Sequence, residues 1–137
     1  MRNAVPAGAL ALLALALAGC GAESADLFEV QRTGADPNAN VDLVVNNGGT
    51  VSCNRGKAVA LPGTGLLDAR ELARKLEQQA ALSIELPREP DSILHYVVRT
   101  SNGRVAFSET SPNRPKAFDE LVAFSKDVIE NVCKINR

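Results

Sequence analysis

Between Ile93 and Thr110 the chain alternates apolar and other residues on both sides of Asn102-Gly103, and this pattern most constrains the fold. Alternation sends successive side chains to opposite faces of a sheet, while Asn-Gly tolerates the positive φ of a tight hairpin. Centring the turn on Asn102-Gly103 pairs Thr100 with Val105, Val98 with Phe107 and Tyr96 with Glu109. One face then carries Leu94, Tyr96, Val98, Val105 and Phe107, which is a core face. The other carries His95, Val97, Arg99, Ala106 and Ser108, a mixed surface suited to water or a partner. The minimum consistent structure is an antiparallel sheet with one covered and one open face.

The rest of the chain supplies more strands and the cover. Leu27 to Thr33 alternates with Phe28 and Val30 on one side, and Val41 to Asn46 repeats the pattern with Val41, Leu43 and Val45. Gly34 to Asn40 reads as the loop between them, and Asn46-Asn47-Gly48-Gly49 as a hairpin turn into a strand over Thr50 to Asn54. Lys57 to Leu61 is a short segment that extends this strand or forms a separate edge. After Pro62-Gly63-Thr64-Gly65 the period changes. Leu66, Ala69, Leu72, Ala73, Leu76 and Ala80 make an apolar stripe at helical spacing, with Glu71 and Lys75 as an i,i+4 pair. Pro87 and Pro90 exclude both regular helix and central strand. A second helix follows Pro115, with Phe118, Leu121, Val122, Ser125, Val128, Ile129 and Val132 inward and Cys133 beside them. The order strands, helix, hairpin, helix predicts an α+β domain: an antiparallel β-sheet with two helices packed on one face.

Residues 1–19 stand apart from this domain. Met1-Arg2-Asn3 is a basic start, and Val5 to Ala18 is an apolar run too short to span a bilayer but suited to a signal segment. The block Leu17-Ala18-Gly19-Cys20 resembles the lipobox of bacterial lipoproteins. That resemblance implies cleavage before Cys20, lipidation of its sulfur, and a mature chain held at the extracytoplasmic face of the cell membrane. Residues 20–25 are then a short tether of about 20 Å at most, and residues 26–137 a single domain close to the membrane surface. Loss of residues 1–19 removes only one charge, Arg2, and moves the formal net charge from −1 to about −2.

With Cys20 assigned to lipid, Cys53 and Cys133 remain, and two thiols in an oxidising compartment are expected to pair. A zinc site would need about four ligands, and one His with no Cys-x-x-Cys does not provide them, so neither metal nor cofactor is expected.

Few chemistries remain. Balanced charge, no Trp and one Tyr argue against nucleic acid as a partner. His95 lies mid-strand with no Gly-x-Ser-x-Gly elbow to supply a nucleophile, and Ser52, Ser92 and Ser108 read as ordinary strand or turn serines. Pro62-Gly63-Thr64-Gly65 lacks the Lys of a phosphate loop. No catalytic residue is therefore assigned. Weaker candidates for partner contact are a basic stripe of Arg32, Arg99 and Arg104, and the loop residues Asn113, Arg114 and Lys116.

A strand ending Val30-Gln31-Arg32-Thr33-Gly34, a Leu/Ala/Arg helix, the Leu86-Pro87 break, a hairpin with Val105-Ala106-Phe107-Ser108-Glu109 and a Pro-initiated apolar helix follow one another here. This order resembles a family of small, uncharacterised lipoproteins of high-G+C, actinobacterial-type bacteria. More remotely it is similar to emfourin-like proteins, small α+β inhibitors of thermolysin-type metalloproteases. The lipobox, the two further cysteines and the segment Val41 to Leu61 depart from the emfourin pattern, and no inhibitory residue carries over. The expected function is a membrane-anchored, non-enzymatic module that binds an envelope protein, with protease inhibition as a special case. The alternative is a small-ligand carrier or envelope sensor with a pocket between sheet and helices.

Overall fold

The structure is a computed structural model and describes residues 25–136. The signal segment, Cys20 and the tether up to Ser24 lie outside the described residues, as does Arg137.

The strands are β1 (Asp26–Gly34), β2 (Val41–Asn46), β3 (Thr50–Cys53), β4 (Val59–Ala60), β5 (Leu94–Thr100) and β6 (Gly103–Ser108). They form one six-stranded sheet in the order β4-β3-β2-β1-β5-β6, antiparallel throughout. Helix α1 (Gly65–Ala81) and helix α2 (Lys116–Asp127) pack on one face, so the fold is the expected α+β class. Lys57 to Leu61 resolves into β4, a separate and exposed edge strand of two residues.

The alternation read in the sequence decides what is buried. Phe28, Val30, Leu43, Val45, Val98 and Val105 point from the sheet toward Leu72, Leu76, Phe118, Leu121 and Ile129 of the helical layer. Each such side chain contributes about 1.5–3 kcal/mol when withdrawn from water. Phe107 lies at the centre, stacked between Tyr96 at 5.2 Å and Phe118 at 4.4 Å. Lys75 joins the two helices, bonding Glu71 on its own helix at 3.1 Å and Glu120 on α2 at 2.8 Å.

α2 begins after Pro115, which has no N–H to lose at that position. It ends by widening into a π turn over Val128–Val132, where the Cys133 N–H donates to the Val128 carbonyl at 2.9 Å, five residues back. This turn keeps Val128 and Ile129 in the core while bringing Cys133 against β3. Cys53 and Cys133 form the expected disulfide, with Cα atoms 5.9 Å apart across 80 residues of sequence.

Two expectations fail for identifiable reasons. The β5–β6 loop is Ser101-Asn102, because Thr100 pairs with Gly103, Val98 with Val105, and Tyr96 with Phe107. A shift of two residues preserves the faces, so the core face survived while every cross-strand partner changed. Gly103 has left the turn because it has another task. Its φ of 147° and its approach to α1 leave no room for a side chain, since a Cβ there would stand 2.5 Å from the Ala80 carbonyl oxygen. Second, Arg32 shares no stripe with Arg99 and Arg104. It has the parity of Val30, pairs with Tyr96 and is 4 % exposed, whereas Arg99 pairs with Glu29 and Arg104 on the open face.

Candidate functional site

β1 orients the molecule. The chain enters the fold at Ala25, whose carbonyl accepts from Asn47 N–H at 2.9 Å, and Asp26 starts the strand beside Asn46. The turns Asn47–Gly49 and Ser101–Asn102 are at this near end. Seven residues on, about 23 Å away at strand spacing, Thr33 pairs with His95 and marks the far end. The longer connections 35–40, 84–93 and 109–115 gather there.

Two clefts meet at Arg88 and His95 at the far end, the second confined there and the first running from it along β6 to Arg104. The first, about 320 Å³, lies on the open sheet face between β5, β6 and the segment Glu85–Arg88, with Val97, Ala106 and Ser108 in its lining. The second, about 640 Å³, is bounded by Thr33, Gly34, Ala35, Ser92 and Ile93. The wall of the first cleft is built by main-chain pairing. Ala106 N–H donates to Ile84 O at 3.1 Å and Leu86 N–H donates to Ala106 O at 2.8 Å, a parallel bridge that lays residues 84–86 along the outer edge of β6. The prolines that exclude a central strand begin only at Pro87, so they permit this contact.

His95 and Ser108 face each other across β5 and β6, and Nδ1 and Oγ share a hydrogen bond of 2.7 Å. Ser108 is 1 % exposed. Its Oγ also accepts from Glu89 N–H at 3.4 Å, and its own N–H donates to Ser111 Oγ at 2.9 Å. Burial lowers the His95 pKa below its ordinary 6.5, the nearby Arg88 charge lowers it further, and Glu109 opposes both. The imidazole is therefore neutral at neutral pH.

A Ser–His pair invites comparison with hydrolytic nucleophiles, and the surroundings differ from those. Glu109, the carboxylate nearest in sequence, turns its Oε1 to the N–H groups of Ile93 at 3.0 Å and Leu94 at 3.2 Å. Among the described residues no carboxylate hydrogen-bonds the imidazole. The arrangement suits recognition: a fixed neutral ring, an exposed guanidinium and an apolar strip. Among the described residues no group of three or more His, Cys, Asp or Glu is disposed to hold a metal ion. No helix among them is long and apolar enough to cross a membrane.

The other candidate contacts divide between the two ends. Arg99 and Arg104 are cross-strand neighbours at the near end, both exposed, and Arg104 pairs with Glu85 at 3.7 Å. Asn113 and Arg114 are at the far end. Asn113 is exposed in a left-handed conformation (φ 55°). Arg114 is engaged internally, donating to Asp119 Oδ1 at 2.9 and 2.7 Å, to the Ser111 carbonyl at 3.3 Å and to the Glu109 carbonyl. Lys116 is exposed at the start of α2 and reaches Glu120 at 3.9 Å. Sequence reasoning missed the grouping of His95, Ser108 and Arg88. Its signal was the hairpin register, since the two-residue loop Ser101-Asn102 sets His95 opposite Ser108, whereas a turn on Asn102-Gly103 sets it opposite Thr110.

Compared with protein-family models, curated proteins and solved structures, the chain matches none.

Proposed function

We propose that this protein is a lipid-anchored, extracytoplasmic binding module that uses the far end of its sheet to engage an envelope protein and performs no catalysis. The observation that best supports this reading is the opposition of the two ends of β1. The tether joins at Asp26, while His95, where the two clefts meet, and the three longer connections stand about 23 Å away, beside Thr33. Tight turns near an anchor and side-chain-rich loops far from it are how a scaffold presents a contact surface. The lipobox Leu17-Ala18-Gly19-Cys20 and the Cys53–Cys133 bridge fit an exported chain. Protease inhibition is one form such binding can take.

Two measurements test this. Cys20→Ser should release the protein from the membrane fraction and abolish acyl labelling. A photo-crosslinker at Asn113 should capture one envelope protein in intact cells, while the same group at Arg74 on α1 should not. Equal capture from both positions, or none from Asn113, would overturn the use of the far end.

The carrier reading receives less support. The space between sheet and helices is filled by Phe28, Leu43, Phe118, Leu121 and Ile129, all fully buried, and the two clefts that share Arg88 and His95 open at the surface.

A further inference from the structure

The charges around Arg88 and His95 narrow the kind of ligand the first cleft would take. Arg88 is exposed and, among the described residues, has no carboxylate within ion-pair distance. Of the nearby acids, Glu85 lines the same cleft and pairs there with Arg104 at 3.7 Å, the two charges offsetting each other, and Glu109 bonds the amides of Ile93 and Leu94. Arg88 follows Pro87 and precedes Pro90 by two residues, so its backbone is stiffened on both sides. His95 is fixed by its bond to Ser108 and adds a hydrogen-bonding nitrogen without a second charge. Beside them Leu86, Val97 and Ala106 are half-buried and form an apolar strip.

One available cation next to an apolar strip matches a monoanion with an apolar body. A phosphate dianion would call for a second available cation, and Arg104 already holds Glu85. The cleft wall adds main-chain groups. In the parallel bridge Ile84 O and Leu86 N–H face β6, which turns the N–H and C=O of Glu85 outward as a strand edge. An extended peptide can pair along such an edge. We propose that the Arg88–His95 cleft binds the free C-terminus of a partner polypeptide ending in an apolar residue. Arg88 takes the carboxylate through two parallel N–H···O bonds, the His95 ring bonds one of its oxygens, and Val97 and Ala106 receive the terminal side chain. The assignment deepens the binding-module reading and rests on it for a polypeptide ligand.

His95 is the one histidine in the chain, so its ring signals in an NMR spectrum report this site alone. The full chain, purified in detergent micelles without a histidine tag, would be titrated with an acetylated pentapeptide ending in valine, with the same peptide as its C-terminal amide, and with isovalerate. The acid peptide should shift the His95 ring signals saturably. The amide should bind at least tenfold more weakly, and so should the acid peptide to Arg88→Gln, with melting temperature unchanged because Arg88 is exposed and unpaired. Isovalerate binding more weakly than the peptide supports a polypeptide C-terminus. Isovalerate binding as tightly as the peptide would overturn that source, leave a carboxylate site for small acids, and count against the binding-module reading. Equal binding of acid and amide, unchanged affinity in Arg88→Gln, or no shift with any probe would overturn the carboxylate site while leaving the crosslinking test untouched.

Discussion

The two ends of the sheet are held by different physics. At the near end the strands are joined by Asn47–Gly49 and Ser101–Asn102, and α1 closes on both turns. Arg70 reaches Asn47 Oδ1 at 2.8 Å and its carbonyl at 3.1 Å, and Gly103 lies against the Ala80 carbonyl. At the far end the connections are longer and side chains take over as backbone partners. Arg32 donates to the carbonyls of Ala39 at 2.8 Å and Asn38 at 2.9 Å, Asn40 accepts from Gly34 N–H at 3.0 Å, and Asn38 donates to the Asn136 carbonyl at 2.8 Å. Tight backbone turns leave little for a ligand to meet. A loop end built from Arg, Asn, Ser and Glu necessarily displays polar groups, and there the clefts form.

This contrast can be broken from either side. The largest effect should follow loss of the disulfide, which joins the end of β3 to the residue that closes the π turn. A bridge closing 80 residues removes denatured-state entropy of about 4–5 kcal/mol in the chain-entropy model, so Cys53→Ala/Cys133→Ala should lose up to that amount in urea unfolding. An unchanged midpoint would show that β3 and the C-terminal turn hold without it.

Next come two substitutions aimed at opposite ends. Arg32→Met leaves the carbonyls of Asn38 and Ala39 without the guanidinium and should cost about 2–3 kcal/mol. Gly103→Ala forces a Cβ toward the Ala80 oxygen from a left-handed backbone and should cost about 1–3 kcal/mol. Hydrogen exchange should separate them: Arg32→Met should speed exchange around residues 34–40, and Gly103→Ala around residues 80 and 101–104. Protection lost uniformly in both would mean that the ends are one cooperative unit.

A smaller change, opposite in sign, is expected between the ends. Ser125 is fully buried on α2 and its hydroxyl has no hydrogen-bond partner among the described residues. Ser125→Ala should therefore raise stability by about 1 kcal/mol, read as a higher melting temperature.

The smallest effect is a pH dependence at the far end. The His95 pKa is lowered in the fold, so the unfolded chain takes up the proton first. The stability contribution of neutral His95 is full above its ordinary 6.5 and is lost as pH falls through that value toward the folded pKa. Unfolding free energy measured from pH 8 to 5 should decline, and His95→Gln should flatten that part of the slope.

The same contrast explains what could be read from the sequence. Alternation over Phe28–Val30, Leu43–Val45 and Tyr96–Val98, and the helical stripe from Leu66 to Ala80, are periodic, and periodicity survives errors of register. So the faces, the layer order and the Cys53–Cys133 pair were legible. The site was not, because it depends on pairings two residues apart. His95 meets Ser108 only in the register that a Ser101-Asn102 loop sets, and Gly103 was drawn out of the turn by Ala80, a contact across 23 residues that no local pattern announces. Arg32 misled for a related reason. A guanidinium on a core-facing parity reads as surface until the loop carbonyls that it satisfies are known.

A helix carries a phase as well as a length, advancing about 100° with each residue. The π turn at Val128–Val132 holds one residue more per turn than the helix before it, so the chain beyond it is set back by about one residue of rotation. Cys133 meets Cys53 in that reset phase. Oxidation of the two thiols therefore records the helical phase: rewinding 128–132 as α-helix at unchanged length would carry the sulfur about 100° around the axis and away from Cys53, whereas deleting one residue there would let an α turn set the sulfur where the π turn now holds it.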